Sequence, residues 1–236
     1  MTPGIPLLPP SPVARRHPAW RLAMIALLLL ACALWIDRPL TLWIHGHVSP
    51  TLDRVFDYIG LMGDAEFSLV PALLLYIWSL NGLARGWHCP WQAGFERSAR
   101  GALLLMLTMA MGGVITWLLK RLVSRARPEE LLDHGIYGLG SWFSGGPYDS
   151  FPSSHTQAAF ATAAVLAILA PRWRWPVLTL AALVGLSRLI NRDHYLTDVL
   201  TAATIALCCA AFLAPRVLDS RARWPLRAPW RWFSRP

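Results

Sequence analysis

Six stretches without Asp, Glu, Lys or Arg constrain this chain more than any other feature: Leu22–Ile36, Phe67–Ala84, Gly101–Leu119, Ser150–Pro171, Trp175–Ser187 and Val199–Pro215. A helix needs ~20 mostly apolar residues to cross the hydrocarbon core of a bilayer. The pattern predicts an all-α fold, an integral-membrane bundle of six transmembrane helices with short interfacial helices. It predicts one domain over residues 1–236, with a core of 19–215 and tails at 1–18 and 216–236. Only 15% of the residues are charged and 55% are hydrophobic. That excludes a disordered chain, which needs the opposite balance. Four Cys in 236 residues are too few for a secreted disulfide scaffold.

The charges sort by side. With a cytoplasmic N-terminus, the inside segments hold Arg15, Arg16, Arg21, Arg85, Arg97, Arg100, Arg172, Arg174 and the Arg-rich tail, with Glu96 and Asp219 as their acids. The other acids, from Asp37 to Asp198, fall outside. This follows the positive-inside rule and predicts cytoplasmic termini in a bacterial inner membrane. The outer side also holds Lys120, Arg121, Arg125, Arg127, Arg188 and Arg192, which break the pattern and need another reason. Of these, Arg121, Arg125 and Arg192 are read as charges facing lipid headgroups.

The remaining segments read more plainly. Arg15, Arg16, an apolar run and Ala31-Cys32-Ala33 resemble a signal peptide. Leu34, Trp35 and Ile36 continue the run past the cleavage site, which favours an anchor. Pro39–Ala65 mixes apolar and charged residues and predicts one or two short interfacial helices. His45 and His47 lack a third ligand, so an interfacial role is preferred to a metal site. The tail, with Trp224, Trp230 and Trp232 among its Arg, is read as lying on anionic headgroups. Nucleic acid is not an expected partner, since the same charges already serve topology. Cys32, Cys89, Cys208 and Cys209 are read as small apolar fillers.

Three clusters at the outer ends of the spans carry the chemistry. They are Lys120-x6-Arg127-Pro128, Phe151-Pro152-Ser153-Ser154-His155, and Ser187-Arg188-x5-His194-x3-Asp198. Charges at this depth are costly unless paired or functional. Lys120, Arg127 and Arg188 together suit a dianionic phosphate, Arg as a fork and Lys as a point charge. A helix opening near Ser153 and Ser154 offers free N–H groups to an anion. Ser153 could cap that helix or donate its hydroxyl to the anion. His194 and Asp198 are four apart and would share a helix face, so the carboxylate could fix the imidazole tautomer and leave the other nitrogen as a nucleophile. His155 could act as general acid. The set makes a phosphoryl-transfer site that needs no cofactor and no metal.

These motifs resemble the signature of the type-2 phosphatidic acid phosphatase superfamily, which also includes vanadium haloperoxidases. The second cluster departs from it, with Ser154 where the family usually has Gly. The resemblance implies that His194 attacks phosphorus and forms a phosphohistidine, that Asp198 orients it, and that His155 protonates the leaving oxygen and then activates water. It implies that Lys120, Arg127, Ser153, the Ser154 backbone and Arg188 hold the phosphate. The expected activity is a metal-independent membrane lipid phosphatase acting at the periplasmic face. Candidate substrates are undecaprenyl diphosphate, phosphatidylglycerol phosphate, phosphatidic acid and the lipid A 1-phosphate. Transfer of the phosphate to another lipid, and a non-catalytic lipid-binding protein, are the alternatives. The lipid and the oligomeric state stay open at this level.

Overall fold

The computed structural model describes residues 19–86 and 91–219. Both outer tails, apart from residues 216–219, and Cys89 lie outside the described residues. Helices make up the structure: α1 (Ala19–Trp35), α2 (Asp37–His47), α3 (Pro50–Leu61), α4 (Ala65–Ala84), α5 (Trp91–Val123), α6 (Pro128–His134), α7 (Ser154–Leu169), α8 (Arg174–Ile190) and α9 (Leu196–Val217). Among the described residues the only strand-like pairing is an isolated antiparallel bridge between Arg125 and Leu139.

Each of the six apolar stretches forms a helix, and the segment after α1 forms the two short helices α2 and α3. The chain is an all-α integral-membrane bundle, but length and composition do not support six crossings. Pro50–Ala84, Gly94–Val123 and Leu196–Val217 are long and apolar enough to cross a membrane. A fourth crossing exists if α1 and α2, bent by 51°, count as one span. At ~1.5 Å per residue, α7 reaches ~24 Å, short of the ~30 Å hydrocarbon core. The bend follows from Asp37. A carboxylate there cannot continue an apolar span, and it is instead buried against protein partners.

The packing inverts that of a water-soluble domain. The shared faces of α5, α7 and α9 are built largely from small residues: Ala102, Ala158, Ala161, Ala164, Ala206 and Ala210, with Leu104, Met109 and Val165 between them. Small side chains let helix backbones approach closely, which is how helices associate where no hydrophobic force separates them from lipid. The large apolar residues point outward instead, among them Leu27, Trp35, Phe67, Leu74, Trp78 and Trp117. Such a surface suits hydrocarbon and not water.

Polar contacts close both ends. At one end Arg100 is buried and donates to the carbonyl oxygens of Val217 (3.0 Å) and Asp219 (2.9 Å), while its Nε meets Glu96 at 3.0 Å. Arg97 donates to the Leu169 carbonyl at 2.9 Å. These guanidiniums satisfy the orphan carbonyls at the C-terminal ends of α9 and α7. The other end gathers the C-terminal end of α5, the starts of α7 and α9, the end of α8 and the turn before α4. All three motif clusters meet there.

Candidate active site

His194 sits in the short loop between α8 and α9, after Arg192, whose φ of 61° reverses the chain. The residue is therefore off the helix, and the shared helix face expected for His194 and Asp198 does not form. The Nδ1 of His194 lies 3.7 Å from the Asp198 carboxylate, too far for a hydrogen bond. It lies 2.7 Å from the backbone oxygen of Ser150. A carbonyl only accepts, so Nδ1 carries the proton and Nε2 keeps its lone pair. Asp198 acts on this arrangement through Ser150, whose hydroxyl donates to Asp198 Oδ2 at 2.6 Å. The backbone N–H of Tyr195 donates to the same oxygen at 2.9 Å. Burial lowers the His194 pKa below the usual histidine value, which favours the neutral ring.

Behind Asp198 lies a buried cluster that the sequence reading missed. Arg125 was expected to face headgroups. It is instead buried, with Nη1 at 2.7 Å from Asp198 Oδ1 and 2.8 Å from Thr197 Oγ1. Its Nη2 reaches Asp37 Oδ2 at 2.8 Å and the Tyr137 hydroxyl at 3.0 Å. Its guanidinium stacks over the Tyr195 ring, 4.1 Å from the centroid. Burial opposes the charge on Arg125, but Asp198 and Asp37 raise its pKa above the ordinary arginine value. Asp37 is fully buried and also accepts from the Thr197 backbone N–H at 3.1 Å. The one available signal was physical: a charge in an apolar setting must find a partner. Naming that partner required a contact across 88 positions. Arg192 likewise pairs with Asp53, at 2.8 Å, and Arg121 donates to the Ser144 carbonyl at 3.4 Å.

Lys120 and Arg127 converge on Asp149, next to Ser150. Lys120 donates to the Asp149 carbonyl oxygen, and Arg127 Nε lies 2.6 Å from Asp149 Oδ1. Burial alone would raise the Asp149 pKa, but the hydrogen bond and charge of Arg127, with Lys120, hold it below the usual carboxylate range. The loop carrying Asp149 is tied to the segment after α5: Gly140 N–H donates to Ser124 O (2.7 Å), Arg127 N–H to Pro147 O (2.8 Å) and Ser150 N–H to Arg125 O (3.1 Å). It is held as a fixed wall of the site.

Arg188 pairs with Asp193, and its carbonyl accepts the His194 N–H at 3.2 Å. His155 Nε2 lies 2.9 Å from Asp64 Oδ1, in the turn between α3 and α4. Gly60 and Gly63 permit this closeness. A Cβ at Gly60 would lie 2.5 Å from Arg188 Nη1, and one at Gly63 2.9 Å from the His155 Cβ. Ser153 caps α7: its hydroxyl accepts from the Thr156 N–H at 3.4 Å and the Thr156 hydroxyl at 3.0 Å, while its own N–H donates to the Asp198 carbonyl at 3.3 Å. Ser153 is fully buried, whereas Ser154 is exposed at the first turn, where N–H groups have no helical acceptor. Each cationic donor thus rests on a protein oxygen that a phosphate could replace. His45 and His47 stay apart from this end's chemistry, with His47 stacked on Trp43 at 4.6 Å.

Comparison with known proteins adds to this geometry. A family model described as the PAP2 superfamily matches residues 101–221, which include all three clusters. Two curated relatives named lipid A 1-phosphatase, from Rhizobium johnstonii and Rhizobium etli, are each 33% identical to this chain over 135 residues. The match covers 52% of this chain and 53% and 56% of theirs, so the chain spans about half the length of the curated relatives it matches. The crystal structure of Aquifex aeolicus LpxE superposes with a TM-score of 0.52 at 22% identity, over 75% of this chain and 93% of that one. The crystal structure of the first transmembrane PAP2 type phosphatidylglycerolphosphate phosphatase from Bacillus subtilis gives 0.55 at 22% identity, over 87% and 99%. Both share the helical fold.

Proposed function

Because this chain belongs to the PAP2 superfamily, we propose that it is a membrane lipid phosphatase that works through a phosphohistidine, at the periplasmic face of a bacterial inner membrane. The observation that carries this reading is His194. Its Nδ1–H is committed to the Ser150 carbonyl, and its ring is kept neutral by burial, with the charges of Lys120 and Arg127 bearing on it.

His194 Nε2 attacks phosphorus, and the bond from phosphorus to the lipid oxygen breaks. His155 gives its proton to that oxygen. His155 then takes a proton from water, the hydroxyl attacks the phosphohistidine, and inorganic phosphate leaves with His194 restored. Lys120, Arg127 and Arg188 neutralise the charge that builds on the equatorial oxygens, with the N-terminal end of α7 at Ser153 and Ser154. Asp149 holds Lys120 and Arg127 in place, Asp193 holds Arg188, and both yield them to the phosphate, while Asp64 holds His155. Three side-chain cations supply the positive charge, so the reaction needs no metal ion. Among the candidate lipids, the names of the curated relatives favour the lipid A 1-phosphate.

The test is phosphate release by purified protein from undecaprenyl diphosphate, phosphatidylglycerol phosphate, phosphatidic acid and lipid A 1-phosphate. His194→Ala is expected to abolish release while the protein stays folded in detergent. Near-wild-type release by that variant would falsify the mechanism. Activity should also survive EDTA, and loss restored by a divalent ion would point to a metal phosphatase instead.

A further inference from the structure

Two cavities flank the start of α4, one on each side of its contact with α7. The first, of about 310 Å³, lies between α4, α5 and α7, with Asp64 and His155 at its head and Leu69, Met106, Met109 and Ala158 along its wall. The second, of about 320 Å³, lies between α4, α7 and α8, with Met62 and Val184 at its head and Phe67, Ala163, Leu166 and Leu180 along its wall. Between them the hydroxyls of Ser68 and Thr162 share a hydrogen bond of 2.9 Å, the seam where α4 meets α7. These two hydroxyls are the only polar side chains lining the second cavity, so it offers little to a headgroup and suits hydrocarbon. The heads of the two cavities adjoin. Gly63 lines the first, and a Cβ on it would lie 2.8 Å from Val184 Cγ1 and 2.9 Å from the His155 Cβ. The candidate general acid thus stands where both begin. From there both descend toward the far end: the lining follows α5 from Gly113 back to Met106 and α7 from Ala159 to Leu166, ~10 Å each at ~1.5 Å per residue. Both are open from the side, since Ala65 and Ala110 at the first and Met62, Phe67 and Leu180 at the second are exposed.

Resting on the phosphatase reading, we propose that the substrate is a lipid phosphate with at least two chains branching close to the phosphate, and that two of its chains straddle α4, one in each cavity, with the lipid oxygen of the breaking bond at His155. Hydrocarbon surrounds this part of the protein, so a chain gains little by leaving the bilayer for a groove. What it gains is orientation. Two seated chains fix the rotation of the headgroup and hold the lipid oxygen against His155, whereas one chain leaves it free to turn. A polyprenyl phosphate has a single chain, fills one cavity and leaves the other to unrelated lipid. The flexible thioethers of Met62, Met106 and Met109 suit chains of variable shape.

The test compares dioleoyl phosphatidic acid with 1-oleoyl-2-acetyl phosphatidic acid, which keeps the phosphate and both ester groups and lacks one chain. At equal mole fraction in mixed micelles, wild-type kcat/KM is expected to be about tenfold higher for the two-chain lipid, the scale of a lost orientation. Ala159→Phe fills the second cavity, and Gly113→Phe fills the first, where a Cβ meets nothing within 4 Å. Each variant alone is expected to bring the two-chain lipid down to the one-chain value, because one cavity remains. The ratio between the two lipids does not depend on how much of a variant folds. Equal wild-type values overturn the proposal, and so does a ratio that stays at the wild-type value in both variants. If both variants lose both lipids, the wild-type comparison decides alone. Turnover of lipid A 1-phosphate only moves the comparison to that lipid and its form with one chain left on the phosphorylated sugar, and equal values there overturn the proposal. Turnover of polyprenyl diphosphate only refutes the two-chain substrate and leaves the phosphatase reading standing. Release from none of the lipids refutes that reading and this inference with it.

Discussion

Ser150 stands between Asp198 and His194, its hydroxyl on the carboxylate and its carbonyl on the imidazole. Losing the hydroxyl leaves a buried carboxylate short of one donor and frees the loop carbonyl to shift. Ser150→Ala should therefore lower kcat by about tenfold or more, on the scale of one hydrogen bond to a charged group, with little change in KM. Steady-state kinetics on the best lipid checks this. The pH profile adds an independent readout. Burial lowers the His194 pKa, so the neutral nucleophile persists below the ordinary histidine value of 6.5. As pH falls through the depressed value the lone pair is lost, so the acid limb of kcat/KM should lie below pH ~6.5. An acid limb at or above that value contradicts a buried neutral nucleophile. His155, His194, Lys120, Arg127 and Arg188 stood out in the sequence because charged and titratable residues are scarce in an apolar chain. Ser150 did not, since nothing local distinguishes a serine whose carbonyl and hydroxyl both matter.

Among the elements, α9 shows how a helix is placed by its first turn. Asp37 from the α1–α2 bend and Arg125 from the end of α5 both bond to Thr197, and Arg125 also bonds to Asp198. This cluster ties three helices together in a setting with little water. Removing Arg125 leaves two buried carboxylates uncompensated, at a cost of ~3–5 kcal/mol. Arg125→Met should lower the thermal unfolding temperature in detergent substantially. Arg125→Lys should rescue little, since one ammonium does not reproduce the two-sided fork. Unfolding at the wild-type temperature in both variants would refute a structural role for the cluster. The helices themselves were legible because their cause is local: runs of apolar residues ended by charges. Their tertiary partners were not, since α5, α7 and α9 meet through alanines that look alike in sequence. Nor was the crossing count legible, because an apolar run does not reveal whether its helix is bent, as at Asp37, or short, as in α7.

At the scale of the whole molecule, the two ends of the bundle differ in charge and in use. The site end carries Asp37, Asp53, Asp64, Asp149, Asp193 and Asp198, and their partners include Arg125, Arg127, Arg188 and Arg192. Four of the eight Lys and Arg at this end are thus held in ion pairs within the protein. At the far end, Arg85, Arg97, Arg100, Arg172, Arg174 and Arg216 face only Glu96 and Asp219 among the described acids. Counted over the whole sequence, with the tails that precede α1 and follow α9, 14 of the 22 Lys and Arg fall in the far-end segments and eight in the site-end segments, and an excess of Lys and Arg retains a segment in the cytoplasm, so the far end should face the cytoplasm and the site end the periplasm. Cysteine labelling in intact cells tests this, after replacement of the four native Cys by Ala. Trp142 lies in the loop at the site end and is 80% exposed, and Arg172 lies in the turn between α7 and α8 at the far end. A membrane-impermeant maleimide should modify Trp142→Cys in intact cells and reach Arg172→Cys only after lysis. The reverse pattern would turn the phosphate site to the cytoplasm, and the periplasmic assignment would have to be withdrawn.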